Sequence, residues 1–439
     1  MKLTAIFIFG FLCLCCSSQS QAQQLMTLDE AITIGLKNNY NILMAKNQEA
    51  AAAVDYQYAF GAFLPTINGS ASKTWSTESV SQKYSNGNKV ERNGAKSGQT
   101  ALSANLNWTL FDGLKVFATK DKLKAIEEAG TLTVKNQVVN TIAQIIQSYY
   151  NIVQQKEQLA SIAEQMSISE ERVKIAKNEF TSGLGSKIDL LQAQVDLNSQ
   201  KAAYLQQQTL IEESKASLNQ LIAISVDNEY SVSDSIPVDT SLNYISIKQV
   251  ALANNPGLLL AKKNIDISQL ALKEVQRSRL PTISFNSSYA FSSNNSEAGF
   301  FLLNQTRGLN YGFSASVPIF QGFLHNQQAK NAQLNIAYSQ LSLQNQQSLV
   351  SVELRNAYKS YEYYIKAIRL AEENLTVAEE NVNVNLAAFQ QGQVSSLEVK
   401  EAQQSLAEAR FTLISARYNA KLAETNLLML KGDIVKSAE

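Results

Sequence analysis

The sequence predicts a mainly α-helical fold with a smaller membrane β part, built from one structural unit that occurs twice. Three observations lead to this prediction. Several motifs recur in the same order in the two halves of the chain. Two very long segments repeat apolar residues with a period of seven, which is typical of coiled-coil helices. Shorter segments alternate apolar and polar residues and are about as long as a strand that crosses a bilayer.

The composition of the 439-residue chain argues against several functions. Its 38 basic and 38 acidic residues give a formal net charge of +0, so it lacks the positive surplus of a nucleic-acid binder. One histidine, His325, leaves little for His-based metal sites or for Ser–His and Cys–His catalysis. We therefore expect no nucleic-acid partner, no metal site, no cofactor and no enzymatic activity.

Residues 1–22 are predicted to be a signal peptide. Lys2 gives the positive start, residues 3–16 form the apolar stretch, and Ala22 ends a small-residue cleavage site. That stretch is too short to span a bilayer. Cleavage removes every cysteine of the chain, because the three cysteines lie at positions 13, 15 and 16. A lipid-modified Cys16 is the alternative processing route, although Cys15 stands where such a site prefers a small residue.

An internal duplication explains the length. The segment that begins at Asn38 recurs at Asn254, 254 − 38 = 216 positions later, and Leu64-Pro65 recurs as Leu280-Pro281 at the same offset. Later motifs recur at an offset of 209, as in 320 − 111 and 389 − 180, and these motifs begin at Phe111, Phe320, Phe180 and Phe389. We predict a first repeat over 23–222, a linker over 223–243, a second repeat over 244–430 and a tail over 431–439.

Each repeat is predicted to contain the same elements in the same order. The first repeat has a helical stretch over 27–63, strands over 66–75 and 100–110, a long helix over 112–180 and a helix over 186–222. The second has a helical stretch over 246–279, strands over 282–292 and 309–319, a long helix over 321–389 and a helix over 395–430. Capping boxes start both repeats, at Thr27 and Ser246, and the residue before Pro65 or Pro281 ends the first helical stretch.

The long helices carry the clearest periodic signal. In the second repeat, apolar positions alternate steps of four and three over Val350, Leu354, Ala357, Tyr361, Tyr364, Ile368, Ala371, Leu375, Ala378 and Val382. The first repeat begins the same alternation at Val138, and the two repeats share register. At 1.5 Å per residue, each helix is about 100 Å long. Small residues in the seam favour the close packing of several antiparallel helices.

The extended segments alternate with period two. Leu309, Tyr311 and Phe313 are apolar and Asn310, Gly312 and Ser314 are small or polar, and three further segments alternate in the same way. A soluble sandwich would also show this pattern. Lengths of 10 or 11 residues with aromatic ends favour strands that cross a membrane. Four strands cannot close a barrel and lipid tolerates no open sheet edge, so membrane strands would require subunits to share one barrel.

The duplicated order of motifs resembles the TolC-type outer membrane efflux channels, over nearly the whole mature chain. The resemblance implies a homotrimer in which 3 × 4 strands form a shared twelve-stranded barrel in the outer membrane. An α-helical barrel of antiparallel coiled-coil helices would continue it through the periplasm. It also implies contact with outer membrane lipid, a periplasmic adaptor (membrane fusion) protein and an inner-membrane RND or ABC transporter.

The resemblance also implies three groups of site residues. The periplasmic entrance candidates are Glu401, Glu398 and Asp189, although Ser395-x-x-Glu398 also reads as a capping box. The adaptor-docking candidates at the helix-turn tips are Gly183, Leu184, Gly392 and Gln393. The helix–strand junctions are Pro65, Gly113, Pro281 and Gly322. Phe389 and Val394 occupy positions where the family has a gate aromatic and a gate arginine, which argues against a polar latch of that kind.

The function that these features indicate is passive passage through an outer membrane exit duct of a tripartite efflux or secretion system. The alternative is a trimeric coiled-coil envelope or surface protein without transport, and that alternative does not explain paired strands of membrane length. A periplasmic enzyme is a third hypothesis, and the chain lacks a recognisable set of catalytic residues for it.

Overall fold

The computed structural model describes residues 25–298, 301–432 and 434. The predicted signal peptide over 1–22 and most of the predicted tail over 431–439 lie outside these residues. The described chain divides into two compact units. The first contains residues 25–45, 134–258 and 347–434 except 433, and the second contains residues 46–133 and 259–346 except 299 and 300.

The helices follow the duplicated order. In the first repeat they are α1 (Leu28–Asn38), α2 (Tyr40–Gln57), a short 3-10 helix (Ala59–Phe63), α3 (Lys115–Thr181) and α4 (Lys187–Leu221). In the second they are α5 (Tyr244–Asn254), α6 (Pro256–Arg277), α7 (Leu324–Gln390) and α8 (Ser396–Lys431). In the part of the chain that the structure describes, no helix is both long and apolar enough to cross a membrane.

The first helical stretch, expected to contain helices over 27–63, is divided at Asn39. The backbone of Asn39 is extended, with φ −56° and ψ 124°. Its side-chain oxygen accepts the backbone N–H of Ile42 at 3.1 Å and so caps α2. Its side-chain nitrogen donates to the carbonyl of Leu221 at 2.7 Å, at the end of α4. One buried asparagine therefore ends α1, starts α2 and joins both to α4.

Asn255 interrupts the second stretch, expected over 246–279, in the same way. Its side-chain oxygen accepts the N–H of Leu258 at 3.1 Å, and its side-chain nitrogen donates to the carbonyl of Leu430 at 3.0 Å. The N-cap of α5 is Asn243, whose side chain accepts the N–H of Ser246, so the predicted start at Ser246 was also wrong. The matching contacts of Asn39 and Asn255 show the duplication at the level of single hydrogen bonds.

The four strands form one antiparallel sheet in the order β1-β2-β3-β4. They are β1 (Thr66–Lys83), β2 (Lys89–Phe111), β3 (Thr282–Ser296) and β4 (Leu303–Ser316). The predicted strands 66–75 and 100–110 were too short, because polar residues continue the ladder, with Ser76 and Ser97 joined through their hydroxyls at 2.6 Å. β4 ends before the predicted residue 319, since Pro318 has no N–H to donate.

The register gives the sheet one apolar face. Trp108 lies opposite Phe285, and Phe285 lies opposite Phe313, so large apolar side chains cross three strands side by side. The rings of Phe285 and Phe313 have centroids 5.1 Å apart. Tyr311 and Phe313 of edge strand β4 are 75% and 73% exposed in the single chain. Large apolar side chains of this face are therefore exposed in the described part of the single chain.

The opposite face is polar and hydrogen-bonded. The Ser288 hydroxyl donates to the side-chain oxygen of Asn105 at 2.7 Å, and the Asn286 side chain donates to the Ser314 hydroxyl at 3.0 Å. Such pairs link neighbouring strands across the face, as side-chain pairs do in polar sheets. The two faces thus have opposite character, as the period-two pattern predicted.

The core of the first unit lies where α3, α4 and α1 meet. Ile142, Ile145 and Leu218 are fully buried there, and the hydroxyl of Tyr149 donates to the carbonyl of Met26 at 3.0 Å. A second cluster packs Leu354 of α7 against Leu427 of α8. The mainly helical, duplicated fold with a four-stranded sheet is therefore confirmed.

Candidate functional site

The two helix-turn tips have closely similar backbones. Gly183 and Gly392 have φ of +77° and +71°, in the left-handed region that favours glycine. The N–H of Leu184 bonds the carbonyl of Glu179 at 2.9 Å, and the N–H of Gln393 bonds that of Ala388 at 2.9 Å. In the described part of the chain, a Cβ added at Gly183 or Gly392 would have no atom within 4 Å other than those of the glycine and its two chain neighbours. Both tips are open surfaces, and Leu184 is 86% exposed.

The helices that leave the tips are capped by serine. The Ser186 hydroxyl accepts the N–H of Ile188 at 3.1 Å. The carboxylate of Glu398 accepts the backbone N–H of Ser395 at 2.6 Å, which is half of a capping box. The carboxylate of Glu398 is therefore already engaged in capping the start of α8.

The other two entrance candidates are exposed, Asp189 on the first turn of α4 and Glu401 on the second turn of α8. Among the described residues, no cation lies within ion-pair distance of either carboxylate. The backbone carbonyl of Glu401 accepts a bond from the Ser405 hydroxyl at 3.0 Å, and the residue is exposed. Their grouping into a ring at the entrance stays a prediction.

Close to the tips, a polar network joins the α3/α4 hairpin to α8. Its centre is Arg172 of α3, which is 2% exposed. The Arg172 guanidinium donates to Asp196 of α4 at 3.3 Å, to Gln403 of α8 at 3.2 Å and to the hydroxyl of Ser396 of α8 at 3.1 Å. Together with Lys400, these residues form what we call the inter-hairpin latch.

Asp196 receives donors from both sides of the latch. Lys400 of α8 donates to it at 2.9 Å and Gln192 of α4 at 3.0 Å. Burial alone would raise the pKa of the Asp196 carboxyl, but the bonds from Lys400 and Gln192 outweigh burial and hold that pKa below its usual value. The carboxylate therefore stays ionised at neutral pH and holds two cations from two hairpins.

Gln403 adds neutral hydrogen bonds to the charged ones. Its side-chain nitrogen donates to the backbone carbonyl of Gln165 and to the hydroxyl of Ser169, both at 2.8 Å. Gln165, Ser169 and Gln403 are all less than 5% exposed. A buried polar group that loses its partner costs about 1–3 kcal/mol. Separating α8 from α3 would therefore break several buried bonds at once.

A second cation connects the same two hairpins. Arg410 of α8 donates to Glu164 of α3 and to Glu379 of α7, each at 3.0 Å. Arg410 is about one quarter exposed, so water screens these ion pairs more than the contacts of Arg172. We regard Arg410 as a support for the inter-hairpin latch rather than its centre.

This network was not predicted from the sequence, and it differs from the family's gate, which the sequence argued against. The gate positions of the family do hold Phe389 and Val394, and Phe389 is buried. The latch uses other positions. A comparison of the two repeats at the offset of 209 could have found them, since Arg172 and Asp196 correspond to Asn381 and Ser405, which are uncharged.

Acid should open the latch only at low pH. A carboxyl whose folded pKa is depressed stabilises the folded contact above its unfolded pKa, and that stabilisation is lost as pH falls through the folded pKa. For Asp196 this window lies below the usual aspartate value of about 3.9. We expect the distance between spin labels placed on the two hairpins to stay constant from neutral pH to about 5 and to rise below about 4.

Asp196→Asn is the control for this prediction, because the amide does not titrate. The variant should show a longer distance between the labels at neutral pH and a much smaller rise in acid. An equal acid-induced rise in Asp196→Asn and the parent protein would assign the transition to other carboxyls.

The junction candidates lie in the second unit. Gly113 has φ +73°, and a Cβ there would lie 2.5 Å from that of Leu280 and 2.7 Å from the carbonyl of Arg277. The Gly113 junction thus packs against the residues just before Pro281, and it requires glycine. Gly322 has φ +59° in open space. In the first repeat, the ring nitrogen of Trp108 donates to the carbonyl of Phe63 at 2.6 Å, two residues before Pro65.

In residues 25–298, 301–432 and 434, no group of three or more His, Cys, Asp or Glu residues could hold a metal ion. The charged groups at the latch bond one another and are suited to holding helices together.

Comparison with known proteins gives one consistent family. The family model described as outer membrane efflux protein matches residues 32–223 and 247–433, which are the two repeats. The chain is 23% identical over 436 residues to the outer membrane protein TolC of Escherichia coli K12, covering 95% of this chain and 84% of that protein.

Two further matches agree. The chain is 24% identical over 424 residues to the cation efflux system protein CusC of the same organism, covering 91% of this chain and 85% of CusC. The crystal structure of the Campylobacter jejuni CmeC outer membrane channel superposes with a TM-score of 0.77 at 18% identity, over 92% of this chain and 85% of CmeC. At this level of sequence identity, the superposition shows that the two proteins share a fold.

Proposed function

The chain belongs to the outer membrane efflux protein family, and on that premise we propose that three copies share one membrane barrel and one periplasmic tunnel. As a member of that family, it is an outer membrane channel that extends into the periplasm. It serves as the exit duct of a tripartite efflux or secretion system.

One observation supports the shared barrel most strongly. The sheet has four strands, open edges at β1 and β4, and an apolar face that is exposed in the single chain. Backbone groups at an open edge would be unsatisfied in hydrocarbon, so the edges must pair with those of other subunits. Three subunits give 3 × 4 = 12 strands, which lies within the range of outer-membrane barrels.

Native mass spectrometry of the detergent-extracted protein tests the assembly. We expect the mass of three mature chains, and a gel band that shifts on heating as the barrel unfolds. A monomer that remains folded in membranes would contradict the shared barrel.

The inter-hairpin latch is proposed to close the periplasmic entrance. It links a hairpin of the first repeat to a hairpin of the second through the buried Arg172 and the carboxylate of Asp196. Such a contact can hold the tips together in the resting duct and release them when a partner binds the hairpins. Opening would then be a movement of α7 and α8 away from α3 and α4.

The tips are proposed to dock a periplasmic adaptor that connects the duct to an inner-membrane RND or ABC transporter. Their backbones are exposed around Gly183 and Gly392, where no side chain prevents another helix from approaching. Leu184 and Gln393 are exposed beside them.

Gly392→Trp should abolish export while the trimer remains in the membrane. The added side chain enters open space, so folding loses only the strain of a positive φ, about 1–2 kcal/mol. Its bulk would block a docking hairpin. The measurements are trimer yield in the outer membrane and export by cells that carry the complete system.

Gly392→Ala is the matched control, since it has similar backbone strain and little bulk. It should export nearly as well as the parent. Loss of the trimer in Gly392→Trp would indicate that the glycine serves folding alone.

Glu401→Gln should lower the cation preference of the channel. In a trimer the exposed carboxylate of Glu401 occurs three times, and a ring of like charges attracts cations. The measurement is the single-channel reversal potential under a salt gradient, together with block by multivalent cations from the periplasmic side.

Glu398→Gln is the control, because Glu398 already bonds the backbone of Ser395. It should change stability by about 1 kcal/mol and affect selectivity less. Unchanged selectivity in Glu401→Gln would exclude the ring at this position.

A further inference from the structure

A polar cleft of about 210 Å³ lies beside the inter-hairpin latch, between α3, α4 and α8. Nine of its ten lining residues are polar or charged, and the other is Ala407. One water occupies about 30 Å³ of liquid, so the cleft has room for a polyatomic ion together with water. The cleft is larger and more polar than a packing defect between helices.

The charge of the cleft is positive. Arg172, Lys400 and Asp196 are the charged residues that line it, which gives +1 + 1 − 1 = +1. The single carboxylate is shared between the two cations, with distances of 3.3 Å to Arg172 and 2.9 Å to Lys400. One positive charge of the cleft is therefore left without a counter-charge among the lining residues, and of the two cations Arg172 is buried while Lys400 is 30% exposed.

Two buried side chains that line the same cleft carry hydrogen-bonding atoms without a partner among the described residues. In the described part of the chain, neither Nε of Arg172 nor the side-chain nitrogen and oxygen of Gln165 has a hydrogen-bond partner. These residues are 2% and 3% exposed. Both offer N–H donors, and buried donors that lack an acceptor are unfavourable. The chemistry that satisfies two donors and one positive charge is an anion with several acceptor oxygens.

We propose that this cleft binds a small oxyanion of the sulfate or phosphate class, held by Arg172, Lys400 and the side-chain nitrogen of Gln165. The proposal rests on the proposed function, because the latch of the closed duct brings these groups together. Arg172 and Gln165 belong to α3 and Lys400 to α8, so the site is dismantled when the hairpins separate. The anion therefore binds the closed duct and favours it.

The size of this coupling follows from mass action. A ligand that binds only one state shifts the equilibrium by the factor 1 + [L]/Kd. An anion at about nine times its Kd would increase the closed-to-open ratio about tenfold for each subunit. The periplasmic supply of such anions would then influence how readily a partner opens the duct.

Gln165→Leu separates the anion site from the latch. The Gln165 side chain makes no hydrogen bond among the described residues, and Gln403 bonds its backbone carbonyl, which the substitution keeps. The latch should therefore stay closed in this variant. Gln206→Leu is the control, since Gln206 is exposed on α4 and does not line the cleft.

The experiment is calorimetric titration of sodium selenate into the purified trimer at constant ionic strength, with a crystal soaked in selenate for anomalous scattering. We expect saturable binding, one anion per chain, in the parent and in Gln206→Leu, at least tenfold weaker binding in Gln165→Leu, and a selenium peak between Arg172 and Gln165. No saturable heat, or equal binding in all three proteins, would overturn the proposal and leave water as the occupant. The titration measures anion binding and does not depend on conductance. A failure of the anion site can therefore be distinguished from a failure of the proposed duct function.

Discussion

Arg172→Met should open the periplasmic tips of the assembled trimer. The substitution keeps an unbranched apolar stem and removes every charged donor from the centre of the inter-hairpin latch. Breaking a buried ion pair costs about 3–5 kcal/mol, and the lower end applies because Asp196 keeps its bond to Lys400. A loss of about 3 kcal/mol shifts the closed-to-open ratio by roughly two orders of magnitude in each subunit.

Spin labels can measure this opening directly. All cysteines lie at positions 13, 15 and 16, so the mature chain after the predicted cleavage contains no thiol that would compete with an introduced one. Leu184→Cys places a label on an exposed tip. In Arg172→Met we expect longer and broader label-to-label distances between subunits than in the parent background.

Lys174→Met is the matched control on the same helix. Lys174 pairs with Glu171 of its own helix and is largely exposed, so it cannot hold two hairpins together. It should leave the tip distances unchanged. Equal distances in Arg172→Met and the parent would show that the latch does not close the entrance.

Leu106→Arg and Phe313→Arg should prevent assembly in the membrane. Both side chains belong to the apolar face of the sheet, where Leu106 lies opposite Ile67 and Phe313 opposite Phe285. An arginine facing lipid costs about 2–4 kcal/mol near the bilayer midplane. A barrel shared by three subunits contains each substitution three times, so the total is roughly 6–12 kcal/mol, comparable to the whole stability of a typical domain.

Arginine on the polar face is the control. Asn105→Arg and Ser314→Arg each remove a side-chain bond, to Ser288 and to Asn286, and place the charge toward the proposed aqueous interior. They should lower trimer yield slightly. Similar trimer yields for all four variants would contradict the assignment of the two faces.

The sequence predicted the features that depend on local periodicity. The heptad pattern led to the long helices α3 and α7, and the period-two pattern led to the faces of the sheet. The interruption at Asn255, which matches the one at Asn39, was missed because asparagine alone does not end a helix. Each interruption depends on a carbonyl far along the chain, that of Leu221 or of Leu430.

The strand ends and the latch were missed for related reasons. The outer parts of β1 and β2 are polar on both faces, so they show no alternation, although their backbones continue the ladder. The latch joins Arg172, Asp196 and Lys400, which are up to 400 − 172 = 228 positions apart. No local pattern brings three helices together. Comparing the two repeats would have marked these charges as specific to one repeat.

Planar-bilayer recording tests the central claim most directly. Purified trimer, reconstituted without any partner protein, should insert and give discrete single-channel steps that need no energy source. These steps should be small in the parent protein and several-fold larger in Arg172→Met, whose entrance the latch no longer closes. A correctly assembled trimer that inserts and gives no steps in either protein would contradict the claim that this chain forms a passive exit duct.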